Sequence, residues 1–383
     1  MLVDLHAHYP MQVVPEERRG THDQMQRWHQ ARGRAQLIKT ISWLKNFQGD
    51  NRTPSVTFDG MRKGDVGIIL SVLYLPFDEI DADYGAPPAG DSLGHITDQI
   101  EAVEASLPGD PGAPRVIVVK DLEGLEDAVD GEGLGLVHCI EGGFVLGPDE
   151  QRIDEAVAML AGRGVAYITL AHLFWRRVAT NAPALPFMPD WLYRRFFSQP
   201  KEGLSDLGRH AVEAMIGKRM LVDLSHMSDA SFDETLSMIE AHPGTPVLAT
   251  HSAFRFGYAR GGLEYNLDPA QVRRIQDVGG VIGLIMCTHY VSHGLYPPEG
   301  TSHSLDLLYA HIDVIAELCD WSYDHIAIGS DLDGFIKPAL PGLERLEYMG
   351  ALQDGLVRRY GREIAEKISS GNALRMLRYR FGG

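Results

Sequence analysis

Five histidines and two acids in this chain share a position: each ends, or lies just beyond, a short apolar run. His6 and His8 close the first run (LVDLHAH), two residues apart, so both project to one face of an extended chain. Glu141 ends LVHCIE, His172 follows ITLA, His226 follows LVDLS, His251 follows VLAT and Asp331 follows IAIGS. Imidazole and carboxylate without thiolate suit Zn²⁺ or a similar divalent ion. Seven such groups exceed what one tetrahedral zinc uses, whereas two ions sharing a bridging carboxylate would use most of them. Alone, a strand-end histidine is more often a satisfied core or cap residue, and an aspartate after a strand a turn residue. Recurrence at the same place in successive runs is what argues for a metal site.

Nearby residues of the same types read differently. His138 has the opposite parity to Glu141 within its run, so it faces away and is structural. Cys139 shares the parity of Glu141 and reads as a buried, inert thiol. His289 and His293 have the i, i+4 spacing of a helical zinc pair but lack the glutamate of H-E-x-x-H, which favours loop or pocket-lining roles. Asp333 is the alternative to Asp331, which lies closer to its strand end.

The elements that must bring these groups together are eight runs: Leu2–His6, Gly67–Leu73, Leu134–Ile140, Val165–Leu170, Met220–Leu224, Pro246–Thr250, Val281–Met286 and Ile326–Ile328. Each has the near-continuous apolar character of a parallel strand buried on both faces. Amphipathic stretches such as Asp98–Leu107, Ile153–Gly162, Leu204–Gly217, Ser231–Ala241 and Leu305–Leu318 lie between them. Eight alternations predict an α/β fold, a (β/α)₈ TIM-type barrel occupying residues 1–383 as one domain, with active groups at its C-terminal face. A ninth run, Val116–Val119, is expected to be a peripheral strand or helix lead-in. A doubly wound open sheet is the competing arrangement, but HAHYP stands where its Gly-rich phosphate loop would be. Two long connections, from Pro10 to about Ser55 and from Phe174 to Lys201, are expected over the C-terminal face as lid or pocket wall.

Composition narrows the partners. Lys and Arg total 35 against 52 Asp and Glu, a net charge of −17, which argues against nucleic acid or an anionic membrane surface. No run approaches the ~18 apolar residues of a membrane span. Three cysteines, Cys139, Cys287 and Cys319, show no paired spacing, so no disulfide framework is expected. The first residues read as a strand rather than a leader, and the expected location is cytoplasmic.

In order along the chain, H-A-H-Y-P, I-E-G-G, Y-I-T-L-A-H, L-V-D-L-S-H, T-H-S-A, H-I-D-V-I, D-H-I-A-I-G-S-D-L-D-G and the terminal S-G-N-A-L-R resemble the motifs of the renal (membrane) dipeptidases of the amidohydrolase superfamily. The resemblance runs from His6 to about Arg375. It implies an amidohydrolase-like barrel and a zinc-dependent dipeptidase. It implies further that His6, His8, Glu141 and Asp331 surround one zinc, with Glu141 bridging to a second held by His226 and His251. His172 would face the substrate, and Asp331 would manage protons. Family dimers suggest a homodimer.

Two departures from that pattern stand out. The family's first motif is H-x-D, whereas this chain has His8, which leaves a two-zinc, hydroxide-bridged centre with one formal positive charge instead of none. The family also places an arginine before an asparagine to hold the dipeptide carboxylate; here Tyr265 precedes Asn266, and Arg255 and Arg260 are the nearby cations that could substitute. The expected reaction is attack of a metal-bridging hydroxide, its pKa lowered from about 15.7 to about 7, on the substrate amide. His172 would donate to the oxyanion, and Asp331 would shuttle the proton. Cleavage of another small amide, lactone or ester is the nearest alternative, and a binding protein on a decayed barrel the most distant.

Overall fold

A computed structural model describes residues 1–30, 32–44, 53–80, 91–110, 112–260, 262–334 and 338–382, with the side chains of 34, 43, 44 and 260 left out. Nine strands are described: β1 (Leu2–Ala7), β2 (Val66–Tyr74), β3 (Val116–Val118), β4 (Leu134–Glu141), β5 (Tyr167–Thr169), β6 (Leu221–Asp223), β7 (Leu248–Ser252), β8 (Val281–Leu284) and β9 (Ile326–Ile328). They pair in parallel in the order β2-β1-β9-β8-β7-β6-β5-β4-β3, and β2 also pairs with β4 along Ile68–Tyr74. That last pairing closes eight strands into a ring, the expected (β/α)₈ barrel, and leaves β3 hanging on the outside of β4. Val116–Val119 is thus the peripheral strand that its extra place in the alternation suggested.

Alternation along each strand sorts the core into two shells. Val3, Leu5, Ile68, Leu70, Val137, Cys139, Tyr167, Leu221, Leu248 and Val281 form one buried cluster that fills the ring. Residues of opposite parity, such as Leu136, Ile140, Ile168 and Val222, pack outward against the helices. All three cysteines are buried and free. Among the described residues no helix is long and apolar enough to cross a membrane.

The interior is apolar only at its lower end because the last helix, Asn372–Phe381, closes that end. Its Leu374, Met376, Leu377 and Phe381 join the inner cluster. The Asn372 side chain donates to the Ile326 carbonyl at the start of β9, and Arg375 donates to the Gly279 carbonyl just before β8. The polar side chains are therefore gathered at the opposite, C-terminal mouth. Strands also approach closely there: a Cβ on Gly283 or Gly329 would lie 2.0 or 1.7 Å from the Thr250 carbonyl oxygen, so neither position admits a side chain.

Both long connections reach the mouth. The first contains the helices His22–His29 and Gly33–Leu44, and its residues 45–52 lie outside the described residues. Where it resumes, the Ser55 and Val56 N–H groups donate to the Asp333 carboxylate at 2.8–3.0 Å. Asp333 is thus a loop anchor, which separates it from Asp331. The second connection is tied down by bridges Ala179–Leu204 and Asn181–Met227 and carries the helix Asp190–Phe196.

Leu377 is fully buried in the terminal plug. Leu377→Ala is expected to cost about 3 kcal/mol, read as a lowered urea midpoint with native circular dichroism below it. An unchanged midpoint would mean that the helix does not hold the barrel base.

Candidate metal centre

Each candidate side chain reaches the mouth by a local device. On β4 the inward parity of Val137 and Cys139 carries Glu141 into the ring, and His138 turns outward, 3.4 Å from Glu104. On β1 regular alternation would send His6 outward, because Leu5 already faces in. The pairing with β2 is irregular between Asp4 and Ala7, and this bulge turns both His6 and His8 to the centre. The buried Asp4 carboxylate secures it by accepting from His6 N (3.2 Å), Ser330 N (2.8 Å) and Ser330 Oγ (2.5 Å). His226 and Asp331 sit just past β6 and β9 with φ of +65° and +56°. That left-handed backbone costs of order 1–2 kcal/mol for a residue with a Cβ. Ala182 N donates to His226 O, and Asp331 N to His6 O, both at 2.8 Å, which holds the two turns.

The five imidazoles converge on Glu141. Its Oε1 is 3.4 Å from His6 Nε2 and 3.6 Å from Nε2 of both His226 and His251; its Oε2 is 3.2 Å from His172 Nε2 and 3.6 Å from His8 Nε2. Asp331 Oδ1 lies 3.0 Å from His8 Nε2 and 3.8 Å from His6 Nε2. The imidazoles also face one another, His6 Nε2 to His8 Nε2 at 3.2 Å and His226 Nε2 to His251 Nε2 at 2.9 Å. All are buried, and neither Glu141 oxygen has a hydrogen-bond partner. A buried carboxylate without donors, ringed by nitrogens aimed at the same point, is a donor set that cations would satisfy. Triads within reach of one ion include His6–His8–Asp331, His6–Glu141–His251 and Glu141–His172–His226.

Hydrogen bonds behind the rings set which nitrogen carries the proton. Tyr167 donates its hydroxyl proton to Leu5 O at 3.0 Å, so it accepts from His6 Nδ1 at 2.8 Å. Thr250 donates to Asp223 Oδ2 at 2.7 Å and therefore accepts from His251 Nδ1 at 2.8 Å. Both rings then present bare Nε2 lone pairs to the centre. Burial, followed by the neighbouring imidazoles, holds His226 and His251 well below the usual imidazole range, in the neutral form that binds cations. Burial tends to raise Glu141, but the surrounding imidazoles, His172 first, outweigh it and keep the carboxylate ionised.

His172 is held from behind by Glu79, which the sequence reading did not single out. Glu79 ends a four-residue helix, Pro76–Glu79, after β2. Its buried carboxylate accepts from His172 Nδ1 at 2.7 Å, the Tyr74 hydroxyl at 2.6 Å and Phe174 N at 2.9 Å. Burial lowers the His172 pKa, yet Glu141 and Glu79 together raise it to about 9. Asp223, also missed, had a signal: it is an acid at an inward position of an apolar run.

A small cavity opens over this cluster, lined by His8, Glu141, His172, His226 and Asp331 and by Leu173, Ala184, Tyr265 and Tyr290. Of the residues expected to contact substrate whose side chains are described, Tyr265 lines it and Arg255 and Asn266 do not. Asn266 stands behind the wall, donating to the Tyr290 carbonyl at 2.9 Å. Arg255 is turned away: it binds both Asp229 oxygens (2.6 and 3.1 Å), the Asn266 carbonyl (2.6 Å) and the Glu264 carbonyl (2.8 Å). The Arg260 side chain lies outside the described residues. His289, on the short helix Thr288–Val291, and His293 just after it line neither the cavity nor the cluster among the described residues.

A family model described as membrane dipeptidase (peptidase family M19) matches residues 2–380. Rat dipeptidase 3 is 26% identical over 336 residues, 84% of this chain and 58% of its own length. An uncharacterised protein from the pqqA 5′ region of Klebsiella pneumoniae is 29% identical over 180 residues, 46% of this chain and 60% of its own. This chain thus spans less than two thirds of those relatives. A solved metallopeptidase from Rhodobacter sphaeroides, liganded with a phosphinate mimic of L-Ala-D-Ala, shares the fold with a TM-score of 0.69 at 17% identity over 99% of both chains. The structure of dipeptidase AC, a family M19 metallopeptidase, does so with a TM-score of 0.67 at 18% identity over 100% of this chain and 99% of its own.

Glu79→Ala withdraws one acceptor from three donors in a buried site and is expected to cost about 3 kcal/mol. Glu79→Gln, which keeps an acceptor oxygen, should cost less. Denaturation midpoints check the order; equal midpoints for both variants and the parent would mean that Glu79 does not organise the mouth.

Proposed function

This chain belongs to the membrane dipeptidase family, and on that premise we propose that it hydrolyses the amide bond of dipeptides or dipeptide-like small molecules with the aid of two zinc ions. The observation that carries the proposal is Glu141, a buried carboxylate with both oxygens unpaired between two facing pairs of imidazoles. His6, His8, Glu141 and Asp331 would hold one ion; Glu141, His226 and His251 would hold the other. Bound there, the pair would supply an acidified water as nucleophile and polarise the scissile carbonyl.

The chain's own groups do the rest. In the hydrolysis, oxygen from water bonds to the acyl carbon, the C–N bond breaks and the amine leaves with an added proton. Glu79 fixes Nδ1 of His172, so Nε2 is the nitrogen presented to the cavity. With Glu79 at Nδ1 favouring the imidazolium, His172 would donate from Nε2 to the oxyanion as it forms. Asp331, at the cavity edge beside His8, would accept a proton from the attacking water and return it to the departing nitrogen.

Metal analysis of zinc-reconstituted protein is expected to find two ions per chain, with fewer in Glu141→Gln; a chain without stoichiometric metal would end this reading. Asp331→Asn keeps the shape and loses the base, so kcat on a dipeptide panel should fall by about 100-fold or more with the thermal midpoint little changed. An active Asp331→Asn variant would remove Asp331 from proton transfer.

A further inference from the structure

Thr250 stands next to His251 on β7 and is fully buried, as is Asp223 at the end of β6. The Thr250 hydroxyl lies behind the cluster, 2.8 Å from His251 Nδ1 and 3.2 Å from His6 Nδ1. A hydroxyl has one proton to give, and this one goes to Asp223 Oδ2 at 2.7 Å. What His251 meets is therefore a lone pair, so its ring proton sits on Nδ1 and Nε2 is bare. His6 Nδ1 has a closer acceptor in the Tyr167 hydroxyl, at 2.8 Å. Among the described residues, His251 Nδ1 is paired with Thr250 alone.

Asp223 is fixed in its turn. Its Oδ1 accepts from the N–H groups of Ser225 (3.1 Å) and Thr250 (2.9 Å) and from Ser225 Oγ (2.9 Å). Its Oδ2 accepts from Thr169 Oγ1 at 2.6 Å and from Thr250 Oγ1. Backbone N–H groups can only donate. A side-chain amide in this place must therefore keep its oxygen at the Oδ1 position and bring its NH2 to the Oδ2 position. There it would donate to Thr250 and reverse the chain of bonds. The Thr250 proton would turn to its nearest acceptor, His251 Nδ1, and the ring proton would pass to Nε2. The ring carries one proton in both cases, but with Nε2 protonated it offers no lone pair to a cation.

We infer that Asp223 is a positioning residue that acts through Thr250: its carboxylate, and not merely its shape, selects the cation-binding tautomer of His251. Given the two-zinc centre proposed above, on which this rests, Asp223 governs the ion assigned to Glu141, His226 and His251. The ion assigned to His6, His8, Glu141 and Asp331 is independent of it, because Tyr167 backs His6.

The test reads zinc affinity by competition with a chromophoric chelator, and the His251 tautomer by imidazole nitrogen NMR of the zinc-free protein, the signal being assigned by its loss in His251→Gln. Asp223→Asn is expected to weaken one of the two zinc ions by about tenfold or more and to move the His251 proton from Nδ1 to Nε2. Parental affinity for both ions, or a proton still on Nδ1, overturns the inference. Adding Thr250→Val to Asp223→Asn removes the misdirecting hydroxyl, so the double variant should bind the weakened ion more tightly than Asp223→Asn alone. A purely structural role predicts a further loss instead, and that result also overturns the inference. Should Asp223→Asn fail to fold, Thr250→Ser and Thr250→Val carry the test: serine should keep the parental affinity and valine should lose about tenfold, and equal affinities overturn the inference. A parent that binds no zinc, with the tautomer still reversed by Asp223→Asn, would sink the two-zinc reading and leave the control of the ring standing. Two tightly held ions in both the parent and Asp223→Asn would do the reverse.

Discussion

Burying a carboxylate with no hydrogen-bond donor is among the costlier things a fold can do, and Glu141 is held in that condition at the centre of a closed ring. Much of the surrounding architecture can be understood as keeping it there. Three of the imidazoles that face it, His6, His172 and His251, are backed by hydroxyls or a carboxylate, which fixes how those rings are turned. Asp223 is the hub of that backing, accepting from Thr169, Ser225 and Thr250, and it ties β5, β6 and β7 together beneath the cluster. A set so over-determined is suited to waiting for cations without collapsing.

The division of the barrel interior follows from the same constraint. Apolar side chains fill the lower part, sealed by the helix Asn372–Phe381, and the polar groups begin where the strands end. Only His6, Glu141 and His251 lie inside strands; His8, His172, His226 and Asp331 stand just beyond them. Positions past the ladder are free to take unusual backbone angles, and His226 and Asp331 do. Ladder geometry places the first group, and turn geometry aims the second.

Much of this was legible in the sequence because polar residues ending apolar runs are conspicuous and because eight runs alternating with helices have few closed solutions. Asp331 was separable from Asp333 by its distance from the strand, and the structure gives Asp333 a different task, anchoring Ser55 and Val56. The rest depended on contacts between distant segments. Glu79 lies in a short helix after a proline, with no periodicity to mark it, and its importance comes from a histidine 93 residues away. Arg255 looked available from its place after β7, but Asp229, at the start of the helix that precedes β7, captures it. The bulge that turns His6 inward leaves no mark in the composition of β1.

A barrel plugged at its base is a cul-de-sac. With Leu374, Leu377 and Phe381 filling the floor, the cavity at the mouth has no rear exit through the strands among the described residues. Whatever enters must back out through the same doorway, and under the proposed hydrolysis both products would share it. The lining that a ligand passes on the way, Leu173, Ala184, Tyr265 and Tyr290 included, then bears on tempo as well as on admission.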